Sequence, residues 1–247
     1  MEDRTISTPP GEMPMRGDDP GHAGSGSGPL GDPRALTILT TEHWSLLSAR
    51  ALVYNEAFAR AGMFLAFLSA TLVALGLIAT ATGFSDGFLA VAAVVLTLDL
   101  FVGLASLGRI SGASNEDIRY LQAMNRIRHA YDEMVPGLQR YFVTSHFDDT
   151  RSVVGMYGPE IVGTVGGLVH GFTTTPGMLG VICSAVGGAL AAVVAMLLTH
   201  APGTAGLAGG VAFLVLFVLE VASSQRRVSR FFGSLEAMFP REGATRR

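Results

Sequence analysis

Apolar residues in this chain gather into long uncharged runs instead of alternating with polar ones. No formal charge lies between Arg60 and Asp86. About 20 helical residues cross the hydrocarbon of a bilayer, so this run predicts a first membrane helix near 61–82. A second follows near 87–108, with Asp99 as its one charge and Arg109 closing it. From Ile161 to Leu219 the chain contains no Asp, Glu, Lys or Arg. That stretch is too long for one span and predicts two more, 177–199 and 204–222, turning at His200-Ala-Pro-Gly. The leftover piece from Ile161 to Thr175, with Gly163, Gly166, Gly167, His170 and Gly171, is too short to span and reads as interfacial or re-entrant.

Outside these runs the pattern changes to helical steps of three and four. Trp44, Leu47, Ala51, Tyr54 and Phe58 recur in this way behind a Thr40 or Thr41 cap. Tyr120, Met124, Ile127, Tyr131 and Met134 repeat it behind Ser114 and Asp117, and Pro136 ends the run. Two helices flanking one membrane hairpin emerge side by side. Trp44, Leu47, Tyr54 and Phe58 are therefore expected to pack on Tyr120, Met124, Ile127 and Tyr131 as an antiparallel pair. A short helix is expected from Thr144 or Ser145, with Asp148 completing a capping box, to about 155–159.

The predicted organisation is a Gly/Pro/Ser-rich disordered tail (1–35), an amphipathic helix (36–60), membrane hairpin 1 (61–108), and a helical connection with the Gly-rich interfacial segment (109–176). Membrane hairpin 2 (177–222) and a basic tail (223–247) complete it. The fold class is all-α, an integral membrane four-helix bundle with helical extensions.

Composition agrees. Apolar residues make up 49% of the chain, and 31 glycines add about 13%, well above the soluble norm of about 45–50% for the two together. One cysteine, Cys183, excludes an intrachain disulfide. A net charge of −3 argues against a nucleic-acid partner, since phosphate binders carry a basic excess. All 17 basic residues are arginine. Five precede the first span, six lie between the second and third, six follow the fourth, and neither hairpin turn has any. The positive-inside rule then puts both termini and the 109–176 connection in the cytoplasm of a multi-pass plasma-membrane protein.

The stretch Thr41-Glu-His-Trp-Ser-Leu-Leu-Ser-Ala-Arg-Ala-Leu-Val-Tyr-Asn-Glu-Ala-Phe-Ala-Arg-Ala-Gly-Met-Phe-Leu, with Tyr141-Phe-Val-Thr-Ser-His-Phe-Asp-Asp, resembles uncharacterised integral membrane proteins of actinobacteria over roughly residues 38–160. The resemblance implies membrane location and no particular activity. The helix-flanked hairpin is also similar in architecture to the SLATT class of two-helix membrane effectors, from which this chain departs by a second hairpin.

Asp99 is the first candidate site. A mid-helix carboxylate costs about 2.5–3.5 kcal/mol on insertion scales and is usually functional or packed against a partner. Ala92, Asp99, Gly103 and Ser106 share a helix face, and a turn near residue 85 sets Asp99 level with Thr71, with Ser69 close by. No Arg or Lys lies in the spans to pair with it, so a neutral carboxyl is expected, serving as a structural donor, a proton or cation relay, or a docking point. Small residues at fourth positions predict close helix packing, internal or between copies: Gly62, Ala66, Ala70 and Ala74 in the first span, Gly180, Ser184, Gly188 and Ala192 in the third, Gly206 and Gly210 in the fourth. Glu220, Arg226 and Arg227 read as interfacial anchors. His146, Asp148 and Asp149 are the one cluster with metal-ligand chemistry, but their spacing scatters them around a helix, and capping explains the acids.

No nucleophile elbow, phosphate loop or zincin motif appears. The expected function is a non-enzymatic membrane protein, without cofactor, whose cytoplasmic helices mediate homo-oligomer assembly or bind a protein partner at the bilayer. The alternatives are a small proton- or cation-linked channel or transporter using Asp99 and, more distantly, a metal-dependent membrane enzyme.

Overall fold

A computed structural model describes residues 28–157 and 174–241. The tail before residue 28 and most of the Gly-rich 161–175 segment lie outside the described residues. A one-turn 3-10 helix, Pro29–Gly31, precedes the α-helices of the described residues: α1 Ala35–Thr82, α2 Asp86–Met134, α3 Thr150–Val154, α4 Thr175–Thr199 and α5 Pro202–Gly233. No strand occurs among the described residues. Four of these helices (α1, α2, α4, α5) are long and apolar enough to cross a membrane.

The predicted membrane helices and their amphipathic neighbours are single elements. α1 runs through 60 and 61 without a break for 48 residues, and α2 for 49 residues. At about 1.5 Å per residue each is roughly 70 Å long. Both are too long for one bilayer, so each carries an apolar half and a polar half. The expected starts at Thr40, Thr41 and Ser114 are therefore corrected. Ser114 sits inside α2, and its hydroxyl donates to the Ile110 carbonyl. The end of α2 falls where expected, because Pro136 disfavours helical geometry at Val135, whose φ of −134° is extended. In α5 the helix continues past the predicted end at 222 as far as Gly233, carrying its arginines on helical turns.

The turns follow local chemistry. Gly83 takes φ 65°, a left-handed value that favours glycine, and Ser85 caps α2 by accepting from the Phe88 amide at 3.3 Å. The α4–α5 turn places His200 at φ 52° ahead of Pro202 in the first turn of α5. The expected helix from 144 or 145 begins later, at Thr150. Asp149 is its cap, and Ser145 instead accepts from the Phe147 amide.

α2 is the shared element: α1 packs along one side of it and α4 along another, while α5 packs on α4. Ala61, Phe64 and Leu68 of α1 meet Leu96, Leu107 and Ile110 of α2 and Leu179, Cys183 and Val186 of α4 in one buried cluster. Leucine and valine cover much of the outside at the same levels, as with Leu72, Val94, Leu98, Leu207 and Leu214. An apolar outside around an apolar inside is the pattern of a helix group solvated by hydrocarbon.

Candidate functional site

The hairpin turn decides which residues meet inside the apolar half. Thr71 and Asp99 lie equally far along the chain from Ser85, and the Thr71 hydroxyl donates to Asp99 Oδ1 at 3.3 Å. Asp99 is wholly buried, and its Oδ2 has no hydrogen-bond partner among the described residues. Ser69, expected nearby, is exposed and turns back to the Leu65 carbonyl at 2.7 Å. One turn beyond Asp99, Gly103 is enclosed: a β-carbon there would stand 2.8 Å from both the Cys183 sulfur and the Phe64 ring. Residues 71, 99 and 103 thus mark where α1, α2 and α4 converge.

The face of α1 that does this differs from the predicted one. Ala61, Phe64, Leu68 and Thr71 are buried, whereas Gly62, Ala66 and Ala70 face outward. The same displacement recurs in the polar half. His43, Leu46, Val53 and Ala57 are half-buried, while Trp44, Leu47, Tyr54 and Phe58 keep between 39% and 62% of their surface. One residue on a helix is a rotation of about 100°, so the aromatic stripe flanks the seam and does not form it. On α2, Met124 and Ile127 are buried and Tyr120 and Tyr131 half-buried. In α5, Ala205 and Gly209 face α4, and Gly206 and Gly210 face away with nothing within 4 Å of a β-carbon. Gly180, Ser184 and Gly188 of α4 are buried.

Polar side chains lock the polar half. Arg50 of α1 makes an ion pair with Asp117 of α2, and the Tyr54 hydroxyl donates to the same carboxylate at 2.9 Å. Burial, then the hydrogen bond to Asp117, raise the Tyr54 pKa. Glu56 accepts two bonds from Arg109 at 3.0 Å and one from Arg60, which hold its carboxyl at about 2. These cross-links set the register of α1 on α2 just outside the apolar runs.

Further along α2 the loop 142–149 and the C-terminal segment 236–241 close on one carboxylate. Asp148 has a fully buried side chain that accepts from the Met238 and Phe239 amides at 2.9 and 2.8 Å and from Arg126 at 2.7 Å. Gln122 donates to the Asp148 and Glu236 carbonyls, and Asn125 to the Phe147 carbonyl. Asp149 caps α3 through the Ser152 amide and hydroxyl and also accepts from the Arg241 amide. His146 lies tilted against Phe147 and stacks on His129, which lies 4.1 Å from the Phe239 ring. The carboxylate oxygens of Asp148 and Asp149 thus face N–H and O–H donors, and no metal-ligating group occurs among the described residues. This geometry joins four segments into one clasp.

Arg50, Asp117, Gln122, Asn125 and Arg126 were not singled out from the sequence as site residues, although Asp117, Leu121, Met124 and Asn125 share the buried helical spacing. Polar residues within an apolar repeat were the available signal. No protein family, curated protein or solved structure matches the chain, so the functional reading rests on this geometry.

Proposed function

We propose that the protein is a non-enzymatic integral membrane protein whose cytoplasmic end mediates assembly or partner binding at the bilayer. One observation carries this reading. The polar halves of α1 and α2 are held rigid by the Arg50–Asp117–Tyr54 link and the Asp148 clasp, yet they leave Trp44 at 62% and Phe58 at 61% exposure. A rigid helix face carrying large aromatic side chains is the usual form of a protein-docking surface. The stripe also runs on along α1 through Leu65 and Leu72, both exposed, so one surface extends from water into lipid and suits a second membrane helix. Cross-linking in native membranes tests this. Trp44→Asp with Phe58→Asp should abolish the cross-linked species while the chain stays folded, and an unchanged cross-linking pattern would reject the reading.

A second reading, a proton- or cation-linked channel, is favoured by the buried Asp99 with its one unpartnered oxygen. Liposome flux that is present in the wild type and lost in Asp99→Asn would support it over assembly alone.

A further inference from the structure

α2, α4 and α5 border a groove of about 600 Å³. Its floor includes Gly180 and Ser184, and Leu100 and Leu104 of α2 line it together with Leu216 and Leu219 of α5. Arg226, Arg227 and Arg230 stand at its mouth. Leu216 and Arg230 are roughly 21 Å apart along α5 at about 1.5 Å of rise per residue. The groove therefore changes from hydrocarbon to cationic over a distance comparable with half a bilayer core of about 30 Å plus its headgroups.

The arginines are not equivalent. Arg227 donates to Glu220 and Ser223 at 3.0 Å each, which spends its charge within the chain. The side chains of Arg226 and Arg230 have no hydrogen bond or ion pair among the described residues, and at one helical turn apart they share a face. Leu104 and Leu219, on the groove rim, are 49% and 59% exposed, so the groove opens sideways onto the surface that lipid would cover. A free phosphate would use the arginines and waste the leucine walls. A zwitterionic lipid would use the walls and gain little from the two arginines.

We propose that this groove binds an anionic phospholipid, with one acyl chain between the leucines of α2 and α5 and the phosphate headgroup between Arg226 and Arg230. The proposal rests on the membrane reading. The pair of arginines selects for the anionic headgroup, and Glu220 keeps Arg227 out of that selection. Preference for phosphatidylglycerol over phosphatidylcholine of the same chains is about thirtyfold, equivalent to about 2 kcal/mol at about 1 kcal/mol for each arginine near the surface.

Native mass spectrometry of the full chain in mild detergent, titrated with each lipid, tests this. The wild type should retain phosphatidylglycerol at far lower concentration than phosphatidylcholine. Arg226→Gln with Arg230→Gln should lose the preference but keep weak binding of both lipids, and Leu219→Trp, which fills the groove, should weaken both. Equal binding of the two lipids by wild type, or a preference that survives the double arginine change, overturns the proposal, as does displacement of the lipid by inorganic phosphate. Carbonate extraction of native membranes separates the two levels of inference. A chain released by carbonate refutes the membrane reading itself, whereas a retained chain without lipid preference refutes only the groove.

Discussion

Gly209→Ala probes the place where the backbones of α4 and α5 run closest. A β-carbon at 209 would stand 2.9 Å from the Ala192 β-carbon and 3.0 Å from the Gly188 carbonyl oxygen. Neither is the tip of a flexible side chain, so the two helices must part. Overpacking of this kind costs about 1–3 kcal/mol. Alanine recovers about 0.5–1 kcal/mol relative to glycine inside a helix, leaving a net destabilisation of roughly 0–2.5 kcal/mol. Gly210→Ala is the control, since nothing lies within 4 Å of its β-carbon and the propensity gain acts alone. The single buried Cys183 reports unfolding through a thiol-reactive fluorophore during a temperature ramp in detergent. Gly209→Ala should react up to roughly 10 °C below wild type, using about 2–4 °C per kcal/mol for a chain of this size. Gly210→Ala should react at or above the wild-type temperature. If Gly209→Ala proves as stable as Gly210→Ala, the close approach of α4 and α5 is wrong.

Gly103→Val should be more severe than either, because its added atoms meet the Phe64 ring and Cys183 together. The same thiol assay should show early labelling, and unchanged labelling would refute the three-helix junction. Asp148→Asn keeps one acceptor oxygen but leaves buried donors of the 238–239 backbone or Arg126 unmatched, a loss of about 1–3 kcal/mol. Limited proteolysis should then cut near 236–241 in the variant and spare the wild type. Burial, against the smaller opposing effect of Asp132, lowers the His146 pKa below its ordinary 6.5. The unfolded clasp therefore takes up the proton first, and stability falls as pH drops from about 6.5 through the folded value. For Asp149, burial pushes the pKa up, but the bonds from Ser152 and Arg241 together outweigh it and lower the pKa below 3.8, which adds a further loss in stronger acid. Protection of the 142–154 amides, corrected for the intrinsic pH dependence of exchange, should fall between about pH 7.5 and 5.5 in wild type and much less in His146→Phe; an equal fall in both would count against this account.

Four apolar runs of spanning length and the turns between them were legible from residue order alone. Hydrophobic length is a local property, and Gly83, His200 and Pro136 punctuate it through their own backbone preferences. The level match of Thr71 with Asp99 was also legible, because a tight turn at 85 makes it simple counting along two helices of equal rise. Helix faces were not. In α1 the expected Trp44, Leu47 and Phe58 seam, and Gly62 with Ala66, each lie beside the residues that pack, and in α5 Gly210 stands next to the Gly209 that meets α4. In a chain that is apolar all round, periodicity loses its contrast. Neighbouring positions are equally acceptable to lipid and to protein, and only the approach of a second backbone distinguishes them. The Asp148 clasp lay beyond sequence reasoning for a different reason. It joins Arg126, Asp148 and Phe239 from three well-separated parts of the chain, and the order of residues carries no statement of which distant amides will close on one carboxylate. Helix existence was thus determined by local composition, while helix rotation and the polar clasp were decided by long-range contact.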